Sequence, residues 1–313
     1  MSADLQSILA AGDVDSLRRL LKHGNSDTDQ SAPAKAVTPA IKATAASTAL
    51  FAHRPILQMP IEHMTLRLRS VRTMGKLLWP AGDAVARLLL RLPPPPQPTA
   101  MLEIGAGAAV PSLVAAAHGT FTRGVVATDA FEEVVQLVCH HDELNGARLT
   151  AAERLDVAER GALHSIVEAR FGLHADAPSI LLVACEMSYD PEAITNLFAA
   201  AAELLRHDPV LLFSRSQVFE HLDEHQAAVA RAHGFALAAS VEKRAAGALD
   251  AVAEAHLTPC VADGVRLFIW VRERRDGDGD AHPMVEWLMS HGDAEPRVTE
   301  QQQHEDLWAP QGL

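Results

Sequence analysis

The sequence predicts an α/β fold: a mostly parallel β-sheet with helices on both faces. Two observations carry this. Between residues 100 and 271, short apolar runs alternate with longer helical patterns, the spacing of strands joined by crossover helices. The run 101–111, MLEIGAGAAVP, passes from an apolar strand through Gly-x-Gly directly into helix-forming residues. Gly105 and Gly107 lack a Cβ, so the backbone there can take positive φ and lie close against a ligand.

Bulk properties agree. The 313 residues suffice for one large domain or two smaller ones, and 48% are apolar, much of that alanine, with one Tyr and four Trp. The formal charge of −13 excludes a chain that wraps nucleic acid through phosphate neutralisation and suits a basic partner. Cys139, Cys185 and Cys260 are far apart and odd in number, so neither a zinc site nor a disulfide framework is expected, and a reducing, cytoplasmic setting follows. The histidines are scattered, and the adjacent pair His140-His141 lacks a ligand-type partner four residues away. They read as surface or core residues, with no metal site. No secretory leader and no membrane-length apolar run is expected.

In chain order, residues 3–25 form two short amphipathic helices broken at Gly12-Asp13, with Leu5, Ile8 and Leu9 on one face and Val14, Leu17, Leu20 and Leu21 on the next. The wording AAGDVDSLRRLLKHG resembles an ankyrin repeat. One repeat cannot bury a solenoid core, so an ankyrin-like extension docked on the main domain is expected. Residues 26–55 are rich in Ser, Thr, Ala and Pro and read as a flexible linker. Order returns near Ile56. Residues 75–92 form a helix opened by Trp79-Pro80, and the prolines over 93–98 end it. Strands are then expected at 100–104, 124–128, 150–155, 179–185, 209–214, 235–241 and 265–271. Helices are expected at 110–118, 131–144, 158–170, 191–206 and 217–233. No clean helix falls between 241 and 264, so the last strand should insert antiparallel. The charged, turn-rich run 272–281 marks the end of a domain spanning 56–272, and 273–313 form a tail with one short helix.

Acidic residues gather at the strand ends, where an open parallel sheet binds ligands. Glu103 precedes the glycine turn. Asp129 ends the second strand, where it either accepts both hydroxyls of a ribose or caps the following helix; the glycine turn puts the ribose first. Asp156 either reaches an adenine amino group or caps a helix. Glu186 follows a long apolar run and should sit at a buried strand's mouth rather than on a solvated loop, and Tyr189 is the single tyrosine.

The series LLWPAGDAVARLL, LEIGAGAAVPSLVAA, VVATDA and LLVACEMSYDPEAITNL, in this order over roughly residues 56–272, resembles the seven-β-strand, S-adenosylmethionine-dependent methyltransferases. More narrowly, it is similar to their protein-lysine methyltransferase branch, which includes enzymes that modify translation factors and chaperones. The resemblance implies a Rossmann-like seven-stranded sheet and S-adenosylmethionine as cofactor. Glu103, Gly105 and Gly107 would then cradle its methionine part, Asp129 its ribose and Asp156 its adenine, with Trp79 and Cys185 beside it. The family's Asp-x-x-Tyr after the fourth strand would be Glu186-Met187-Ser188-Tyr189, making Glu186 and Tyr189 catalytic. Departures are GAGAAVPS where the family reads GAGTGLPG, and Glu186 for Asp, which lengthens that side chain by one methylene. The implied partner is a protein presenting a lysine, such as an elongation factor, with no nucleic acid or membrane. A small-molecule methyltransferase and a non-catalytic binding module on the same fold are the alternatives.

Overall fold

The computed structural model describes residues 51, 54–69, 79–95, 97, 99–172, 179–216, 221–242, 265–273 and 282–289. The helical pair expected over 3–25, most of the linker, and Cys260 lie outside these residues. The elements are β1 (Ile56–Ile61), β2 (Met64–Arg69), α1 (Pro80–Arg91), β3 (Thr99–Ile104), α2 (Val110–His118), β4 (Val125–Asp129), α3 (Glu132–Asn145) and β5 (Ala151–Arg154). They continue with α4 (Ala162–Phe171), β6 (Ser179–Cys185), α5 (Pro191–Ala202), β7 (Val210–Ser216), α6 (Asp223–Ala232), β8 (Phe235–Glu242), β9 (Val265–Arg272) and α7 (Pro283–Met289).

β3 is the central strand, buried at all six positions, and it pairs in parallel with β4 on one side and β6 on the other. With both faces covered, β3 and β6 read as continuous apolar runs rather than alternating ones. Successive residues of β3 point to opposite cores. Ala100, Leu102 and Ile104 join Leu163, Ile194, Leu197 and Phe198 from α4 and α5. Met101 joins Val85, Leu88 and Leu89 of α1, with Leu181 and Val183 of β6.

The sheet order is β5-β4-β3-β6-β7-β9-β8, the seven-stranded, mostly parallel arrangement expected. The chain runs outward from β3 through β4 to β5, then returns to the other side of β3 for β6 and β7. Strand order therefore reverses between β3 and β6, and the carboxyl ends of these neighbours frame the crevice of a switch point. β9 lies antiparallel between β7 and β8, as the sequence pattern before it implied.

Differences from the expected elements have local causes. Helix α4 starts at Ala162, not at 158, because Asp156 opens a turn: its carboxylate accepts the Ala158 N–H at 2.9 Å, and Gly161 sits at φ 76°. The helix expected over 191–206 stops at Ala202 and resumes as a short 3-10 turn, Leu205–His207. The first residues of the helices expected over 75–92 and 217–233 fall outside the described residues, which show α1 from Pro80 and α6 from Asp223. The antiparallel hairpin β1–β2 was not anticipated as strands. Its signal lay in β2, MTLRLR, where Met64, Leu66 and Leu68 are buried and Thr65 and Arg67 exposed.

Candidate active site

The glycine turn leaves β3 at the switch point and is fixed on every side. Gly105 and Gly107 have φ of 68° and 55°. The Ala106 N–H donates to the Thr128 carbonyl at 2.8 Å, and the Gly107 N–H to Asp129 Oδ2 at 3.1 Å. Ala109, the N-cap of α2, is also left-handed at φ 59° and fully buried. Alanine here, where the resemblance implies glycine, keeps the backbone shape of the turn. A left-handed L-residue costs roughly 1–2 kcal/mol.

Glu103 is buried inside β3, and its Oε2 accepts from both the backbone N–H and the hydroxyl of Ser112, in the first turn of α2. Burial pushes its carboxyl up to about 8, against the lowering effect of Ser112. Asp129, at the end of β4, is nearly as buried, and burial pushes it up to about 6. Its Oδ1 accepts the Phe131 N–H at 3.2 Å. Phe131 itself occupies the N-cap position of α3, so Asp129 braces the glycine turn and the helix entry together. A carboxylate offers about four acceptor positions, and the backbone N–H groups of Gly107, Phe131 and Ala130 draw on three of them, which leaves capacity for a ligand hydroxyl.

The facing loop leaves β6. Glu186 is buried, takes φ 58°, and donates its N–H to the Ser214 carbonyl of β7 at 2.7 Å. It is therefore not a solvated loop carboxylate. Half-buried Cys185 precedes it. Burial, followed by the charges of Glu103 and Glu186, holds its thiol well above the usual range, against a side-chain hydrogen bond with Ser214. Met187 reaches across to the glycine turn, so that a Cβ on Gly105 would strike its Sδ. Tyr189 is half-buried against the α4–α5 core. Burial pushes its phenol up to about 12, helped by Asp190, Asp129, Asp156 and Glu192 in that order. Asp190 then caps α5 by accepting the Ala193 N–H at 2.9 Å.

Trp79 stands half-buried at the N-cap position of α1. A Cβ on Gly82 would lie 3.8 Å from Pro111, which sets this end of α1 beside the start of α2. Ser214 Oγ donates to the Ala81 carbonyl at 3.4 Å and ties the same turn to β7. The crevice thus brings together Glu103, Gly105, Gly107, Asp129, Cys185, Glu186 and Tyr189, with Trp79 on the helix that borders it. Asp156 opens its own turn by accepting the Ala158 N–H on Oδ1, and its charge reaches Tyr189. Sequence reasoning missed Ser112, Ser214 and Met187. Ser112, the last residue of GAGAAVPS, and Met187, within Glu186-Met187-Ser188-Tyr189, stood inside recognisable patterns, and Ser214 did not.

Among the described residues, no group of three or more His, Cys, Asp or Glu is placed to hold a metal ion, and no helix is long and apolar enough to cross a membrane.

No protein-family model and no curated protein matches the sequence. Solved structures do. A ribosomal-protein methylase from Lactobacillus delbrueckii is 16% identical, with 61% of this chain and 77% of that one covered at a TM-score of 0.39. The M. jannaschii protein TYW2, solved with AdoMet, is 14% identical over 70% of this chain and 87% of its own, at 0.41. The B. subtilis tRNA methyltransferase TrmK is 15% identical over 68% and 74%, at 0.39. Two further matching chains are covered over only 55% and 53% of their own length. Identities this low assign no substrate.

Proposed function

We propose that the chain is an S-adenosylmethionine-dependent methyltransferase whose acceptor is a protein lysine. The observation that carries this reading is the convergence, at one switch point, of a braced Gly-x-Gly turn, the buried carboxylates Glu103, Asp129 and Glu186, and Tyr189. The residues fit the cofactor. Gly105 and Gly107 would admit its methionine part against the backbone, Asp129 would accept from its ribose, and Glu103, its carboxyl pushed up to about 8, would lie beneath the methionine part, where the cofactor's positive charge favours its ionised form. Trp79 and Cys185 would border it, and Asp156 would approach the adenine side. Bound there, the cofactor supplies a methyl group carried on a sulfonium.

The chain's own work is to orient and desolvate the acceptor. A lysine amine has a reference pKa of about 10.4 and must lose its proton before it attacks. Glu186 and the Tyr189 hydroxyl would hold the nitrogen as acceptors, while their buried surroundings disfavour its charged form. The carboxylates that raise Tyr189 make this mouth acidic, which favours a cationic side chain over a phosphate backbone. A lysine of a translation elongation factor is the acceptor toward which the YDPEA wording leans.

Calorimetric titration with S-adenosylmethionine and its demethylated product tests the cofactor. Micromolar binding by the folded protein, weakened at least tenfold in Asp129→Ala, is expected. In Glu186→Ala and Tyr189→Phe, cofactor binding should persist while methyl transfer to protein lysines falls. Unchanged transfer in both variants removes their assigned roles, and no binding by the wild type removes the enzyme reading.

A further inference from the structure

The glycine turn has one more support, and it comes from outside the sheet. His141 lies in α3, fully buried, with both ring nitrogens engaged. The Arg69 backbone N–H, at the end of β2, donates to Nε2 at 2.9 Å. An Nε2 that accepts is unprotonated, so the ring proton of the neutral imidazole sits on Nδ1. Nδ1 lies 3.2 Å from the Ala108 carbonyl and donates to it. Burial holds this ring neutral by pushing its pKa down to about 4.

The Ala108–Ala109 peptide is consequently pinned at both ends. Its oxygen accepts from His141, and its N–H donates to the Ala106 carbonyl at 2.7 Å. With Gly107 N–H on Asp129, these bonds fix the peptide planes on the ligand side of the turn. One helical turn further along α3, Asn145 grips the same strand. It accepts the Arg67 N–H at 2.7 Å and donates to the Arg67 carbonyl at 2.9 Å. Asn145 and His141 thus dock the hairpin on α3 together, but in these bonds only His141 continues to the turn.

We infer that His141 is a positioning residue for the cofactor loop, acting through the Ala108 carbonyl. The inference rests on the reading of that loop as the S-adenosylmethionine site. It separates from a purely structural role because the two ring nitrogens can be replaced one at a time. Asn places an amide N–H two bonds beyond Cβ, as Nδ1 is, and Gln places an acceptor three bonds beyond, as Nε2 is. His141→Asn keeps a donor for Ala108 and gives up Arg69. His141→Gln keeps the acceptor for Arg69 and orphans Ala108.

The test compares wild type, His141→Asn, His141→Gln and Asn145→Ala as full chains, measuring the calorimetric Kd for S-adenosylmethionine beside the Tm of the unliganded protein. All three variants should lose Tm. Only His141→Gln should lose affinity, by about tenfold, the effect of leaving one buried carbonyl unpaired. Equal affinity losses in the Asn and Gln variants, or affinity that follows Tm across all three, would overturn the inference and leave the cofactor reading standing. A wild type that does not bind overturns both.

Discussion

Glu103 is the residue whose chemistry departs furthest from its appearance in the sequence, where it reads as an ionised acid before a glycine turn. Buried in β3, with Ser112 donating to it, its carboxyl is pushed from an ordinary 4.5 up to about 8. Between those values the folded protein holds a proton that the unfolded chain releases, so stability falls as pH rises. Asp129 acts in the same sense up to about 6. His141, pushed from 6.5 down to about 4, acts in the opposite sense: the unfolded chain takes up a proton that the fold excludes, so stability falls as pH drops through that range. Above 6.5 both of these contributions fade, in opposite senses. The unliganded protein should therefore lose up to about 2 kcal/mol between pH 6.5 and 8. Urea unfolding across that range should show a declining midpoint in the wild type and a nearly flat one in Glu103→Gln. A decline of the same size in the variant would assign the slope to another group.

At the scale of elements, the site is two loops that touch, the turn after β3 and the loop after β6. Gly105 marks their contact. A Cβ there meets Met187 Sδ and also strains a backbone held at φ 68°. The steric part is relieved when the thioether moves, and the backbone part is not. Gly105→Ala should cost about 1–2 kcal/mol from the left-handed backbone, plus whatever Met187 loses by shifting. Met187→Ala should suppress the second contribution only, so the double mutant should be more stable than the sum of the two changes predicts. Thermal or urea unfolding of the four proteins closes this cycle, and strict additivity would deny the contact. Each loop was legible by itself: GAG between an apolar strand and a helix, and EMSYDP after seven residues of β6. Their meeting was not, because no local pattern couples Gly105 to Met187. The same limit explains Ser112, Ser214 and His141, whose roles follow from the packing of α2, β7 and α3. Asp156 is a different case. A carboxylate before a helix pattern is ambiguous until the turn that absorbs it is seen.

Across the whole molecule, the alternating pattern sufficed for the sheet because every central strand is buried on both faces and every crossover helix covers one of them. It said less about what closes the sheet's α1 face. Helix α7 is only seven residues long, yet Met284, Trp287 and Leu288 are buried in the core built by α1, β3, β6, β7 and β9. Trp287 packs edge-on against Phe121 at 6.0 Å and donates Nε1–H to the Pro93 carbonyl at 2.9 Å. Pro93 follows α1, so one indole ties α7 to the proline segment that leads into β3. A short helix of this kind has little stability of its own and is held by the face it buries. Trp287→Ala should then destabilise the protein by about 3–5 kcal/mol, the range for emptying a buried aromatic site. Trp287→Phe keeps most of the volume but leaves the Pro93 carbonyl without its donor, and should cost about 1–2 kcal/mol. Because α7 is buried in the core on the α1 side of the sheet, both variants should keep the cofactor affinity of the wild type under conditions where they remain folded. Unfolding midpoints measured beside calorimetric titrations separate the two effects. A lost affinity in folded Trp287→Phe would show that the α1 face is coupled to the crevice through the first turn of α1, where Ser214 meets Ala81.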